Sequence, residues 1–185
     1  GYDIEGVEPA KEMIEYAKKL NPDIIIKEGI INKLPQKDEK FDVVVVIEVF
    51  RYLDHDDILE GYKECLRVLK KGGQLIVTLV NKYSLDGFYI SYKYRLFLER
   101  VFKKEILNYC NVVTPNSIKA YFKKHFDLEI ETHVFFFSPL RIFYKISPKF
   151  GRLLTLRVEK FDEYLSRKDW WQPFAGHLVI TVKKK

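Results

Sequence analysis

The sequence predicts an α/β fold, a doubly wound and mostly parallel sheet, and two observations carry the prediction. Over the first 82 residues, short β-branched runs alternate with stripes of helical period in the order strand, helix, strand, strand, helix, strand. Within them, "FDVVVVIEV" (41–49) carries valine at every position from 43 to 46. A run apolar at successive positions is expected of a strand covered on both faces, as in parallel sheets flanked by helices.

The elements follow in order. Residues 2–8 read as a strand with Ile4 and Val7 as its apolar members. At Pro9 the period changes: Met13, Ile14, Ala17 and Leu20 recur at helical spacing, and proline suits a first helical turn. Asn21-Pro22-Asp23 stops that helix. "IIIKEG" is a second strand, "KLPQKDEK" a polar loop, and "FDVVVVIEV" the third strand. Asp54 or His55 then opens a helix, with Asp54 and Asp57 at capping-box spacing and Ile58, Leu59, Tyr62, Leu66 and Leu69 as its apolar stripe. "KKGG" reads as the end of that helix and "QLIVTLVN" as another buried strand. Ligands in such sheets sit at the carboxyl ends of strands, which here are Glu8, Gly29-Ile30, Glu48-Val49 and Asn81.

The second half is less regular. Residues 85–107 form a helical region rich in Tyr, Phe and Lys. "VTPNSIKAYFKKHF" is a helix with Thr114 as cap and Pro115 in its first turn. "LEIETHVFFF" is a strand, residues 139–172 hold one or two basic, aromatic helices, and "GHLVITVKKK" is the last strand. No repeat, linker or composition break divides the chain. It is read as one domain: a core at 1–82, caps at 83–113 and 138–173, and C-terminal sheet elements at 114–137 and 174–185.

Composition bounds the function. The chain has 185 residues, 47% of them hydrophobic, which excludes a disordered segment. No apolar run approaches the roughly 20 residues of a membrane span. Cys65 and Cys110 make no metal-binding or redox spacing and suit a reducing cytoplasm. The net charge of +6 comes with Lys pairs and interspersed Glu and Asp. It is read as a solvated Lys/Glu surface; an anionic partner such as nucleic acid is the sharper alternative, and no nucleic-acid module supports it.

The order of motifs resembles the class I S-adenosylmethionine-dependent methyltransferases, a Rossmann-like family. "DIEGVEPAKEMIEYAKK" resembles the family's second strand with its acidic end and the helix that follows. "EGIINKLP" stands where the family has an adenine-contacting turn, "KFDVVVVIEVFRYLDH" resembles the fourth strand, and "LRVLKKGGQLIVTLVN" the helix, turn and fifth strand. The resemblance implies S-adenosylmethionine as cofactor and an antiparallel C-terminal strand. By itself, an ionised Glu8 is an acceptor able to take both ribose hydroxyl protons, or else a residue that complements the next helix's N-terminus. Pro9 and Met13 are assigned to one side of an adenine slot and Ile30 and Ile31 to the other, although Met13 taken alone is more often a core residue. Ile30 replaces an Asp common in the family, and Asn32 is the candidate substitute. Ile47, Glu48 and Val49 are expected beside the methionine half of the cofactor. Tyr52 and His55 are the candidate catalytic residues, each with a structural alternative, and His177 is read as structural.

The family's Gly-rich turn after its first strand is absent from the sequence. Gly1 reads as the glycine that ends a preceding helix, and the natural polypeptide is expected to extend upstream by roughly 30–50 residues, enough for a strand, that turn and a helix. The expected function is methyl transfer to a small or amphiphilic, lipid-like acceptor. A non-catalytic module of the same fold and an RNA methyltransferase are the alternatives. The lid expected over such an acceptor combines Phe135, Phe136, Phe137, Leu140, Ile142, Phe143 and Tyr144 with Arg141, Lys145, Lys149, Arg152 and Arg157.

Overall fold

The computed structural model describes residues 1–84, 88–103, 110–135, 144, 146–166, 168 and 170–185. They form two compact units, Gly1–Val44 with Asp54–Leu75 and Lys184–Lys185, and Val45–Leu53 with Ile76–Lys183. The chain has the α/β class and Rossmann-like character expected of it.

In the first unit, β1 (Glu5–Glu8) and β2 (Ile25–Glu28) pair in parallel, with Glu5 opposite Ile25 and Glu8 opposite Glu28. Parallel strands need a crossover, and α1 (Lys11–Leu20) supplies it. Of its stripe only Ile14 is buried. The strand is shorter than expected: β2 offers partners only from Glu5 onward, and Tyr2 and Ile4 stay exposed. β3 (Phe41–Ile47) begins in this unit. In α2 (His55–Val68) the Asp54 side chain accepts the Asp57 N–H at 2.9 Å, and Tyr62, Cys65 and Val68 are buried. Burial pushes the Cys65 thiol up to about 12. Arg67 on α2 donates to Glu64 and Asp38 and to the carbonyls of Leu34 and Gln36, at 2.6–3.1 Å. The polar loop 34–38 is thereby tied to the helix.

Two sequence expectations are corrected. α2 ends at Val68, and Lys70-Lys71-Gly72-Gly73 lies inside β4 (Leu69–Val80) rather than ending the helix. The Gly72 N–H donates to the Lys184 carbonyl at 3.0 Å, and the Lys184 N–H to the Gly73 carbonyl at 2.9 Å. The C-terminal residues thus give this segment a strand partner, an interaction no local signal announces. Gly72 needs its glycine, with φ +74°. The second correction concerns β3. Val43, Val45 and Ile47 are 47%, 55% and 67% exposed, whereas Val46 is 6% exposed. The valine run therefore alternates between a buried and an exposed face.

In the second unit, the carboxyl halves of β3 and β4 are joined by β5 (Ile130–Phe135) and β6 (His177–Lys183). β5 and β6 are antiparallel, Ile130 facing Val182 and Phe135 facing His177. Val77, Leu79, Val134, Leu178, Ile180 and Val182 are buried in the sheet, and Phe50, Ile118 and Phe122 are buried outside it. Among the described residues three helices accompany it: α3 (Phe88–Phe102), α4 (Pro115–Phe126) and α5 (Pro148–Ser166). α4 starts as predicted, with Thr114 and Ser117 each bonding the other's backbone N–H.

Candidate functional site

In the first unit the carboxyl end of β1 leads straight into α1. Glu8 Oε1 accepts the Ala10 N–H at 3.0 Å, so one oxygen of this carboxylate already closes the entry to the helix. The Gly29 N–H donates to the Glu8 carbonyl at 3.3 Å, which holds the end of β2 beside it. Gly29 is required by close approach: a Cβ there would lie 2.8 Å from Pro35 Cδ and 3.1 Å from Val7 Cγ1. The turn after it closes with Lys33 N–H on the Ile30 carbonyl at 3.1 Å. Pro9, Met13 and Ile30 are exposed, Met13 at 56% and Ile30 at 50%, and Ile31 is partly buried. These apolar side chains belong to no core. Asn32 donates its amide N–H to Asp57 Oδ1 at 2.6 Å, so that donor is committed within the unit. His55 is exposed at the first position of α2.

The second unit gathers its polar groups at the end of β3. Glu48 has φ +58°, a left-handed conformation unusual for a residue with a side chain. Its N–H donates to Thr78 Oγ1 at 2.8 Å, which anchors the turn to β4. Both carboxylate oxygens are engaged: Arg51 Nη1 donates to Oε2 at 2.8 Å, and His177 Nδ1 lies 3.1 Å from Oε1. The hydrogen bond with His177 chiefly holds the Glu48 carboxyl below the usual carboxylate range, and Arg51 adds to it against the opposing effect of burial. Tyr52, 58% exposed, lies with its ring centroid 5.1 Å from the Arg51 guanidinium carbon. Burial pushes the Cys110 thiol up, against the opposing effect of the Arg51 charge. Ile47 and Val49, on either side of Glu48, are exposed.

The approach to His177 is fixed by a buried polar lock. Asn81, wholly buried at the end of β4, donates its amide to the carbonyls of Gln172 and Ala175 at 2.7 and 3.0 Å. Thr132 Oγ1 donates to Gln172 Oε1 at 2.7 Å, and Gln172 Nε2 returns a bond to the Thr132 carbonyl at 3.2 Å. The short turn Gln172–Phe174 therefore enters β6 in one position.

Sequence reasoning placed Glu48 at a strand end but missed its pairing with His177, 129 residues away. No periodicity or motif links residues that far apart; only the antiparallel placement of β6 brings them together. Of the expected lid, Phe136, Phe137, Leu140, Arg141, Ile142, Phe143 and Lys145 lie outside the described residues. Tyr144, Lys149, Arg152 and Arg157 are described and exposed. Among the described residues no cluster of His, Cys, Asp or Glu is arranged to hold a metal, and no helix is long and apolar enough to cross a membrane.

Residues 1–77 match the family model of the methyltransferase domain. An uncharacterized protein of Methanocaldococcus jannaschii is 34% identical over 153 residues, 82% of this chain and 53% of the relative. The demethylmenaquinone methyltransferase of Chlorobaculum parvum is 37% identical over 73 residues, 40% of this chain and 30% of that enzyme. The chain thus spans about half, or less, of the curated relatives it matches. Among solved structures, an S-adenosylmethionine-dependent methyltransferase of Methanosarcina mazei superposes with a TM-score of 0.65 at 15% identity, covering 100% of this chain and 82% of that one. One from Thermotoga maritima gives 0.60 at 23% identity, covering 98% and 72%.

Proposed function

We propose that this chain is a member of the class I S-adenosylmethionine-dependent methyltransferase family and that the protein transfers the methyl group of that cofactor to a small or amphiphilic acceptor, a reading supported by the match of residues 1–77 to the methyltransferase domain and by the fold shared with solved methyltransferases. The observation that carries the reading is the family match over residues 1–77, which contains the strand end at Glu8. The residues there fit the nucleoside. Glu8 has a second carboxylate oxygen beyond the one that receives Ala10, and carboxylates accept hydroxyl protons readily. Met13 and Ile30 offer solvated apolar surface suited to a flat ring. In this reading Glu8 holds the ribose, and Pro9, Met13, Ile30 and Ile31 flank the adenine. The backbone of Ile47, Glu48 and Val49 serves the methionine portion.

The bound cofactor supplies an electrophilic methyl group on sulfonium. The chain's residues then need to position an acceptor and exclude water, with little covalent help. Tyr52 and His55 are the exposed polar side chains that the sequence assigns to this step. The amphiphilic acceptor is favoured by α5, whose Phe150, Leu153 and Leu156 are 49%, 51% and 60% exposed beside Lys149, Arg152 and Arg157. Apolar surface next to cations suits a hydrophobic molecule with an anionic head.

Full-length protein incubated with labelled cofactor and pools of quinone-like, lipid-phosphate, sugar and RNA acceptors tests the proposal. Label entering the quinone-like or lipid pool is expected. Transfer confined to RNA, with steeply salt-dependent binding, would replace this acceptor class with nucleic acid. Absence of cofactor binding would leave a non-catalytic module of the same fold.

A further inference from the structure

We propose that the outer face of helix α5, together with Trp170 just beyond it, seats the protein on the surface of an anionic lipid bilayer. The inference deepens the amphiphilic-acceptor reading and rests on it for purpose alone, a bilayer being where such acceptors collect. Docking itself needs no cofactor, so the two readings fail separately.

The helix has two sides. Gly151 and Leu165 are buried, and α5 packs on β5. At about 100° per residue, Leu153, Leu156, Phe161 and Tyr164 fall on the other side. They are 51%, 60%, 57% and 58% exposed. Lys149 and Arg157 stand among them and Arg152 at their margin, all three exposed. Helix α4 of the same unit is built differently: its exposed positions include Asn116, Lys119, Lys123 and Lys124 and no large apolar side chain. Beyond α5, Trp170 is 65% exposed, edge-on to Trp171 with 5.4 Å between ring centroids. Lys168 Nζ lies 4.6 Å from the centroid of the Tyr164 ring. The segment that follows is held from behind, since Asn81 donates to the carbonyls of Gln172 and Ala175.

Charge selects what covers this face. Residues 132–158 form the longest run of the chain without Asp or Glu, and the run contains Arg141, Lys145, Lys149, Arg152 and Arg157. The acids of α5, Glu159, Asp162 and Glu163, come only in its second half. Anionic headgroups complement the cations, and acyl chains receive the leucines and Phe161. Tyr and Trp rings suit the boundary between the two, where an apolar body and a polar edge are both satisfied. A nucleic acid would use the cations and leave the leucines uncovered. An apolar protein partner would bury the cations unpaired. Among the described residues no helix is long and apolar enough to cross a membrane, so α5 is assigned to the plane of the interface.

Co-sedimentation of the full-length protein with vesicles, no cofactor present, tests the proposal. One set of vesicles mixes phosphatidylglycerol with phosphatidylcholine, and the other is phosphatidylcholine alone. Binding to the anionic set is expected, at least about 10-fold tighter than to the neutral set and weaker in high salt. Lys149→Gln combined with Arg157→Gln is expected to weaken it about 5-fold for each charge removed. Leu153→Gln combined with Phe161→Gln is expected to weaken it about 10-fold or more. All four positions are exposed, so circular dichroism and Tm should stay at wild-type values. Brominated acyl chains should quench the tryptophan fluorescence of bound protein, and Trp170→Phe should reduce that quenching. Failure to bind anionic vesicles, or equal binding to neutral ones, overturns the proposal. Variants that bind as wild type does place the contact elsewhere, such as the exposed Tyr94, Phe97 and Val101 of α3, and overturn it too. A concentration-dependent dimer abolished by Leu153→Gln would assign the face to a second copy of the chain, and binding to RNA but not to vesicles would assign it to nucleic acid; either result also overturns it. Calorimetric titration of the cofactor decides the methyl-transfer reading whatever the vesicles show.

Discussion

Substituting Asn81 by alanine reports on the lock that places β6. The amide donates two hydrogen bonds in a fully buried site, to Gln172 O and Ala175 O at 2.7 and 3.0 Å. Each is worth about 1 kcal/mol net, and their loss leaves two carbonyls in the core at about 1–3 kcal/mol each. Part is returned, because Asn81 Oδ1 is itself buried without a partner among the described residues and disappears with the side chain. The balance is a destabilisation of about 2–4 kcal/mol, or roughly 5–15 °C in Tm for a chain of this size. Asn81→Asp should be worse than Asn81→Ala, since it removes the donors and turns a carboxylate toward two carbonyl oxygens. Urea unfolding followed by circular dichroism gives both values. An alanine variant within about 0.5 kcal/mol of wild type, or an aspartate variant more stable than alanine, would refute the assignment of these bonds as the clamp on β6.

Gly29→Ala should destabilise the first unit by about 1–3 kcal/mol, because its Cβ meets the stiff Pro35 ring at 2.8 Å; a calorimetric scan showing no change would refute the close approach. Glu48→Gln should flatten the acid limb of stability. Its carboxyl pKa is lowered from 4.5 in the folded state, so just below pH 4.5 the unfolded chain binds the proton first and stability falls as pH falls through the folded-state value. Urea midpoints measured from pH 3 to pH 6 should show a weaker slope in that window for the variant, and an identical slope would count against the Glu48 contacts.

How much could be read in advance varies with the range of the interaction. Helix α4 was legible because Thr114, Pro115 and Ser117 act within one turn. The Asp54 cap was legible for the same reason. The start of β4 was not, since "KKGG" is strand beside β3 and against Lys184 at the other end of the chain, partners that no local signal announces. The burial of the valine run is not legible because composition reports what a strand can bury, while the layers packed on each face decide what it does bury: Val46 is covered, and Val43, Val45 and Ile47 are not. The same distinction holds at the site. Glu8 could be located from a strand end followed by a helix, a local pattern. The Arg51–Glu48–His177 arrangement is assembled from β3, the turn after it and β6, and leaves no trace in any one segment.

The most direct test of the account is calorimetric titration of S-adenosylmethionine into the full-length protein, wild type against Glu8→Ala. Wild type should bind. The variant should bind about 10- to 150-fold more weakly, corresponding to loss of about 1.5–3 kcal/mol for hydrogen bonds to a charged group. Equal affinity of the two folded proteins would contradict the assignment of Glu8 to the ribose. A wild-type protein that does not bind the cofactor would contradict the functional reading as a whole.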